Sequence, residues 1–274
     1  MNHINELAAC PVVIGVNVDI EAIDAVNAGA AGLLVRYSYG RYGVREGIWR
    51  LFDVLAQENI HATFFVIPEE VKRYQDLLRV MHDNGHEIAV RGQVCSSAGA
   101  AETLDQLGND LEILKQLTGM TPAGWRTVNG LMTRATLPAL AVHGYQYDSS
   151  AQDDDHPYVM SNGKDATLVE LPIFDYLTDS TFYTHRHTHA RVAKAWSEEA
   201  HAQYCAGGYV NLTLHSRGDV GSGRPPRARM VADFLNELGR RPGVKFYRAD
   251  QLAKLWRQNK LETEPFPIVL KPEL

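Results

Sequence analysis

Five stretches of this chain place polar or charged side chains directly after a short apolar run. That pattern lets a reactive group face a ligand while its backbone is held rigid. Asn17, Asp19 and Glu21 follow PVVIGV, and Arg91 and Gln93 follow HEIAV. Trp125, Arg126 and Asn129 lie in GWRTVNG, Asp175 follows LVELPIF, and His215 and Arg217 close VNLTLHSR. An imidazole such as His215 exchanges protons near neutral pH, and Asp19 and Glu21 are candidate bases. Arg91 is permanently protonated, so it cannot ligate a cation, but it can bind a substrate carboxylate or steady a developing oxyanion. Asn17 and Arg126 offer hydrogen bonds to a substrate, and Trp125 offers an apolar wall. Arg217 and Arg224 flank the Gly-rich RGDVGSGRPPR, which could close over an anionic substrate, although Arg224 reads as solvated loop charge.

Two further clusters read as surface features. His185, His187 and His189 alternate in THRHTH and would share one side of a strand, yet Arg186 and Arg191 flank them and would oppose a metal. The run Asp153–Asp155 before His156 and Pro157 reads as a solvated turn. No metal site and no cofactor is assigned from these residues.

Composition narrows the partners. The 274 residues carry a formal charge of −6, which argues against a nucleic-acid binder, and no basic run offsets it. Three scattered cysteines (Cys10, Cys95, Cys205) are no disulfide framework and fit a reducing compartment. No stretch is long and apolar enough for a membrane helix, and no signal-peptide pattern opens the chain. The expectation is a soluble cytoplasmic protein acting on a small, possibly anionic molecule.

Strand and helix patterns alternate along the chain, with strands expected at 11–18, 62–67, 86–90, 124–127, 168–172, 210–214 and 244–247. Helices are expected at 46–59, 69–84 and 102–118, the last two stopped by Gly85 and Gly119. Alternation at this length favours one α/β barrel over residues 1–274, with its chemistry at the C-terminal strand ends.

Six segments in order resemble the polysaccharide-deacetylase (NodB-homology) family, in the branch with allantoinase-like, cyclic-imide-hydrolase-like and peptidoglycan-deacetylase-like proteins. They are YGVREGIWRLFDVLAQENIHATFFV, DNGHEIA, LTGMTPAGWRT, YDSSAQDDDHPY, LVELP and LTLHSRGDVGSGRPPRARM. The resemblance implies a distorted (β/α) barrel, often seven-stranded, that hydrolyses an amide-type C–N bond, and often a homo-oligomer. It also implies an Asp–His–His metal triad, a base two residues before the metal-binding Asp, and a late His as general acid. Position by position these fall on Asp19, Arg91 and Cys95, on Asn17, and on His215. Asn17 has no ionisable carboxylate and Arg91 cannot bind metal, so the usual zinc mechanism is not expected. The expectation is a C–N hydrolase of a small amide, imide or ureide, metal-independent or metal-atypical. In it His215 is the acid, Asp19 and Arg91 are catalytic, and Asn17, Glu21, Arg126, Trp125 and Arg217 bind substrate. The alternatives are an inactive deacetylase-like binding protein and a non-hydrolytic isomerase or cyclase on the same barrel.

Overall fold

Residues 10–18, CPVVIGVNV, form a strand buried along its whole length, and the rest of the sheet is arranged around it. The structure is a computed structural model that describes residues 7–24, 34–94, 99–128, 130, 132–161, 167–259 and 264–265. Its strands are β1 (Cys10–Val18), β2 (Thr63–Val66), β3 (Glu87–Gly92), β4 (Gly124–Thr127) and β5 (Tyr147–Asp148). They continue with β6 (Tyr158–Ser161), β7 (Thr167–Glu170), β8 (Val210–His215), β9 (Val244–Tyr247) and β10 (Glu264–Pro265). The order β8-β1-β2-β3-β4-β5-β7 is parallel throughout, which gives the seven staves of a curled, incompletely closed barrel. β6 pairs antiparallel to β7 and carries β10 on its outer edge. β9 pairs with β1 at Cys10–Val13, on the part of the strand that precedes its pairing with β2 at Gly15–Val18.

Parallel staves buried on both faces read as continuous apolar runs, which is why β1, β2 and β8 are visible in the sequence. Helices Ile48–Gln57, Ala100–Thr118, His189–Ala206 and Pro225–Gly239 pack their apolar sides on the outside of the sheet. The helix expected over 69–84 is two pieces, Pro68–Val71 and Gln75–Asp83, interrupted at 72–74. A single π-helical turn, Gly43–Gly47, leads into Ile48–Gln57. β5, β6 and β10 were not expected from the sequence. The first and last are two residues long, too short to show a period.

The barrel has a seam between β7 and β8. It is bridged by one backbone pairing, Thr178 with Thr213, and by side chains of β8. Asn211 Nδ2 lies 3.0 Å from the Pro172 carbonyl and 2.9 Å from Tyr209 Oη, with Leu171 O and Ser149 Oγ also in reach. The Tyr209 hydroxyl donates to the same Pro172 carbonyl. These side chains satisfy carbonyls that a neighbouring strand would otherwise take. Replacing Asn211 by Leu keeps the volume but removes this shared donor and leaves the Tyr209 hydroxyl oxygen without one, while Pro172 O, Leu171 O and Ser149 Oγ keep Tyr209, Ser149 and Arg126. The expected loss is about 1–3 kcal/mol of unfolding free energy in urea titration.

At the opposite end of the barrel, Ala62 N donates to His86 Nδ1 at 3.1 Å, and the ring stacks on Phe52. Burial lowers the His86 pKa from 6.5 to about 4, helped by the nearby His61 and Arg248. A depressed histidine is neutral in the fold while the unfolded chain takes up the proton. Its contribution is therefore complete above pH 6.5 and is lost as pH falls towards 4. The stability difference between wild type and His86→Gln should shrink across that window by up to about 3 kcal/mol, measured by denaturant titration at successive pH values.

Candidate functional site

The C-terminal ends of β1, β3, β4 and β8 converge on one buried constellation of charges. Asp19 follows β1, and Arg91 lies at the end of β3. The Arg91 Nε donates to Asp19 Oδ1 and its Nη2 to Oδ2 at 3.2 Å, a two-pronged ion pair. Nη1 and Nη2 also donate to the carbonyls of Thr127 (3.0 Å) and Val128 (3.2 Å) after β4. Four of the five guanidinium N–H bonds thus have protein acceptors, so Arg91 has at most one left for a ligand. Asp19 is aimed by the turn behind it, where Glu70 accepts from the backbone N–H groups of Ile20 (3.1 Å), Glu21 (2.5 Å) and Ala22 (2.5 Å). Burial raises the Glu70 pKa, opposed by those three N–H donors.

His215 ends β8 in register with Asn17 on β1. Its Nδ1 is 2.6 Å from Asp179 Oδ1, and its backbone N–H donates to Asp179 Oδ2 at 2.9 Å. Its Nε2 lies 3.1 Å from Asn17 Nδ2 and 3.7 Å from Asp19 Oδ2. Asp179 thus holds the residue by one bond to the ring and one to its backbone, and leaves Nε2 facing Asn17 and Asp19. His215 is 7% and Arg91 5% exposed, so the groups are desolvated yet reach the surface of the described structure.

Arg126 lies behind this layer. Its Nε donates to Ser149 O (2.8 Å), its Nη2 to Ser149 Oγ (2.7 Å), and its Nη1 to Asn17 Oδ1 and Thr213 Oγ1 (both 3.3 Å). Its guanidinium lies 3.9 Å from the centre of the Phe65 ring. Burial, then the charge of Arg91, lowers its pKa to about 10, which still leaves it charged at neutral pH. A Cβ on Gly15 would sit 2.7 Å from Nη1, so β1 needs glycine where the guanidinium crosses it. The YDSS and LVELP segments supply the next shell. Ser150 Oγ donates to Asp148 Oδ1 at 2.7 Å, and Glu170 Oε1 accepts from Ser150 N and Ala151 N, both 3.0 Å. Burial and the neighbouring Asp148 push the Glu170 carboxyl well above the usual range, opposed by the N–H groups of Ala151 and Ser150.

The sequence candidates separate into two groups. Asp19, Arg91, His215 and Asn17 come together, with Arg126 behind Asn17. Glu21 sits on the rim, 3.3 Å from Arg73. Trp125 is fully buried, and a Cβ on Gly92 would lie 2.0 Å from its Nε1. Arg217 is 3% exposed and committed to Asp219 (3.0 Å), Asp24 (2.9 Å) and Ile20 O (3.0 Å), a brace between the turns after β1 and β8. Arg224, expected to be solvated, stacks 4.0 Å from the Tyr42 ring centre and donates to Gly218 O. Asp175 is exposed. The THRHTH histidines lie on a turn and a helix start instead of a strand, and Asp153–Asp155 form an exposed turn. Cys95 and Asn129 lie outside the described residues. Asp179 and Glu70 escaped the sequence reading. Asp179 lies 36 residues before His215, and Glu70 is an ordinary first-turn acid of a helix, so neither carries a local signal.

The donors among the described residues do not fit a divalent ion. Among the described residues no group of three His, Cys, Asp or Glu side chains is arranged to hold a metal ion. Asp19 is neutralised by a guanidinium whose charge would repel a cation. Breaking this pair leaves one buried charge alone. Arg91→Met should cost about 3–5 kcal/mol in chemical denaturation, and the double variant with Asp19→Leu should recover most of that loss.

Residues 22–147 match the model of the polysaccharide deacetylase family. A peptidoglycan deacetylase of Helicobacter pylori is 22% identical, over 88% of this chain and 95% of its own length. A candidate polysaccharide deacetylase from Mycobacterium smegmatis superposes with a TM-score of 0.88 at 29% identity, covering 98% of this chain and 96% of that one. The Puue allantoinase shares the fold at a TM-score of 0.81 and 22% identity, over 93% of each chain. These likenesses span the barrel, and the match to the polysaccharide deacetylase (NodB) domain falls on residues 22–147, from the turn after β1 to β5.

Proposed function

We propose that this protein hydrolyses a C–N bond in a small amide, imide or ureide, using Asp19, Arg91 and His215 and no zinc triad. One observation carries the reading. An imidazole aimed by Asp179 presents Nε2 beside Asp19, at a barrel mouth where Arg91 takes the place of a cation. His215 supplies proton transfer to the departing nitrogen, and the remaining N–H of Arg91 is the donor available to a carbonyl oxygen as it gains charge. The match of residues 22–147 to the polysaccharide deacetylase model supports C–N hydrolysis. A small substrate is favoured over a polymer by the burial of the constellation, in line with an allantoinase among the structural neighbours. Asn17 and Arg126 are assigned to holding the site, while Glu21, Trp125 and Arg217 remain at one remove from it. No helix among the described residues is long and apolar enough to cross a membrane. A cytoplasmic protein that assembles as a homo-oligomer completes the proposal.

The consumption of four Arg91 N–H bonds favours a second reading, a deacetylase-like binding protein without catalysis. A panel of small amides, imides and ureides, assayed with and without chelator on untagged protein, separates the two. Turnover insensitive to chelator is expected, with His215→Ala lowering kcat/KM at least about 100-fold. Stoichiometric zinc whose removal abolishes turnover would sink the metal-free mechanism. No turnover of any compound would leave the binding protein as the surviving reading.

A further inference from the structure

An asparagine side chain has one accepting end and one donating end, so fixing either fixes both. Arg126 can only donate, and its Nη1 lies 3.3 Å from Asn17 Oδ1. The Asn17 NH2 group is thereby turned to His215, 3.1 Å from Nε2. A donor facing Nε2 calls for a lone pair on that nitrogen. The other end of the ring agrees, because Asp179 Oδ1, 2.6 Å from Nδ1, is an acceptor and calls for a proton there. Among the described residues no rival acceptor claims a proton on Nε2. Asp19 Oδ2 is 3.7 Å away, beyond hydrogen-bond reach, and already accepts from Arg91 Nη2.

We infer that His215 rests as the neutral Nδ1–H tautomer, with the bare Nε2 as general base of the hydrolysis proposed above and Asn17 and Arg126 as the positioning residues that fix it so. This rests on the hydrolase reading and deepens it by naming the base. Nε2 takes a proton from water as the water oxygen bonds to the carbonyl carbon. The imidazolium is steadied by the Asp179 carboxylate. The C–N bond then breaks, its electron pair goes to nitrogen, and the proton on Nε2 follows it. Imidazole is regenerated, and the products are a carboxylic acid and an N–H compound, which is an amine, amide or urea according to whether the substrate is an amide, imide or ureide. One histidine serves in turn as base and acid, so no carboxylate is needed at position 17. An aspartate there would have no N–H to offer and would instead favour a proton on Nε2. The residue at 17 thus decides in which state the imidazole waits.

Long-range 1H–15N correlation spectra of the uniformly 15N-labelled full-length chain, near neutral pH, test this directly. His215 is to be assigned through bonds from its own Cβ. Its Nδ1 should resonate as a protonated nitrogen and its Nε2 as a bare one. A proton on Nε2, alone or with one on Nδ1, overturns the proposal whatever the chain turns over. Asn17→Asp should add a proton to Nε2 in the same spectrum and lower kcat about 100-fold on any panel compound that wild type hydrolyses. A spectrum unchanged in Asn17→Asp removes Asn17 from its positioning role. If that variant does not fold, the wild-type spectrum alone decides the tautomer. The expected tautomer combined with no turnover of any panel compound overturns the hydrolase reading, and the base role with it.

Discussion

A carboxylate and a guanidinium buried against each other at the mouth of a parallel barrel set the terms for everything around them. Each ion alone would cost several kcal/mol to desolvate, and their mutual attraction offsets that only if the remaining donors and acceptors are also met. The Asp19–Arg91 pair meets the condition through the carbonyls of Thr127 and Val128. Those bonds tie the ends of β1, β3 and β4 into one unit. The same condition explains the strength of the turn after β1. Three successive N–H groups held by Glu70 keep Asp19 from swinging away and leaving the guanidinium uncompensated.

A second buried cation lies behind the first. Arg91 and Arg126 repel one another, which is part of why the Arg126 pKa falls towards about 10. The answer to that repulsion is neutral acceptors: both oxygens of Ser149, the Thr213 hydroxyl and the Asn17 amide oxygen. The Asp148–Glu170 pair lies on the same side, and burial raises both carboxyls, Glu170 further through its proximity to Asp148. The imidazole is therefore placed among fixed dipoles whose directions are set by arginines that stay charged at neutral pH. That kind of preorganised surrounding is what a proton-transferring group needs.

Much of this was legible in sequence because buried parallel strands announce themselves. The runs VVIGV, ATFFV, HEIAV and VNLTLH mark four staves, and the polar residues following them mark the mouth. From that rule alone Asp19, Arg91 and His215 could be grouped, and the structure brings them within a few ångströms of one another. The rule does not say which way a side chain turns. Arg126, Trp125 and Arg217 obey it as well as Asp19 does, yet their side chains are spent on Ser149 and Asn17, on packing over Gly92, and on Asp24 and Asp219. Residues acting through space without a strand-end position were invisible. Asp179 is the first residue of a five-residue helix, Glu70 lies in a four-residue one, and Asp148 is in a two-residue strand.

The substitutions at positions 17 and 91 make physical sense as a set. In the arrangement that the family resemblance implies, two carboxylates face one divalent cation, and the charges at the barrel mouth sum to zero. Here a single carboxylate faces a single guanidinium, and the sum is again zero. Exchanging only the metal position for arginine, with aspartate kept at 17, would leave a net negative charge beside His215 in a poorly hydrated site. Exchanging only position 17 would leave a net positive one. Either intermediate carries an uncompensated buried charge, the costliest defect a core can hold. Neutral Asn17 and cationic Arg91 are for that reason coupled residues. On the proposed mechanism, an amide in place of a carboxylate at 17 also leaves Nε2 of His215 without an acceptor, so the residue that keeps the mouth neutral is the one that assigns the proton chemistry to the imidazole.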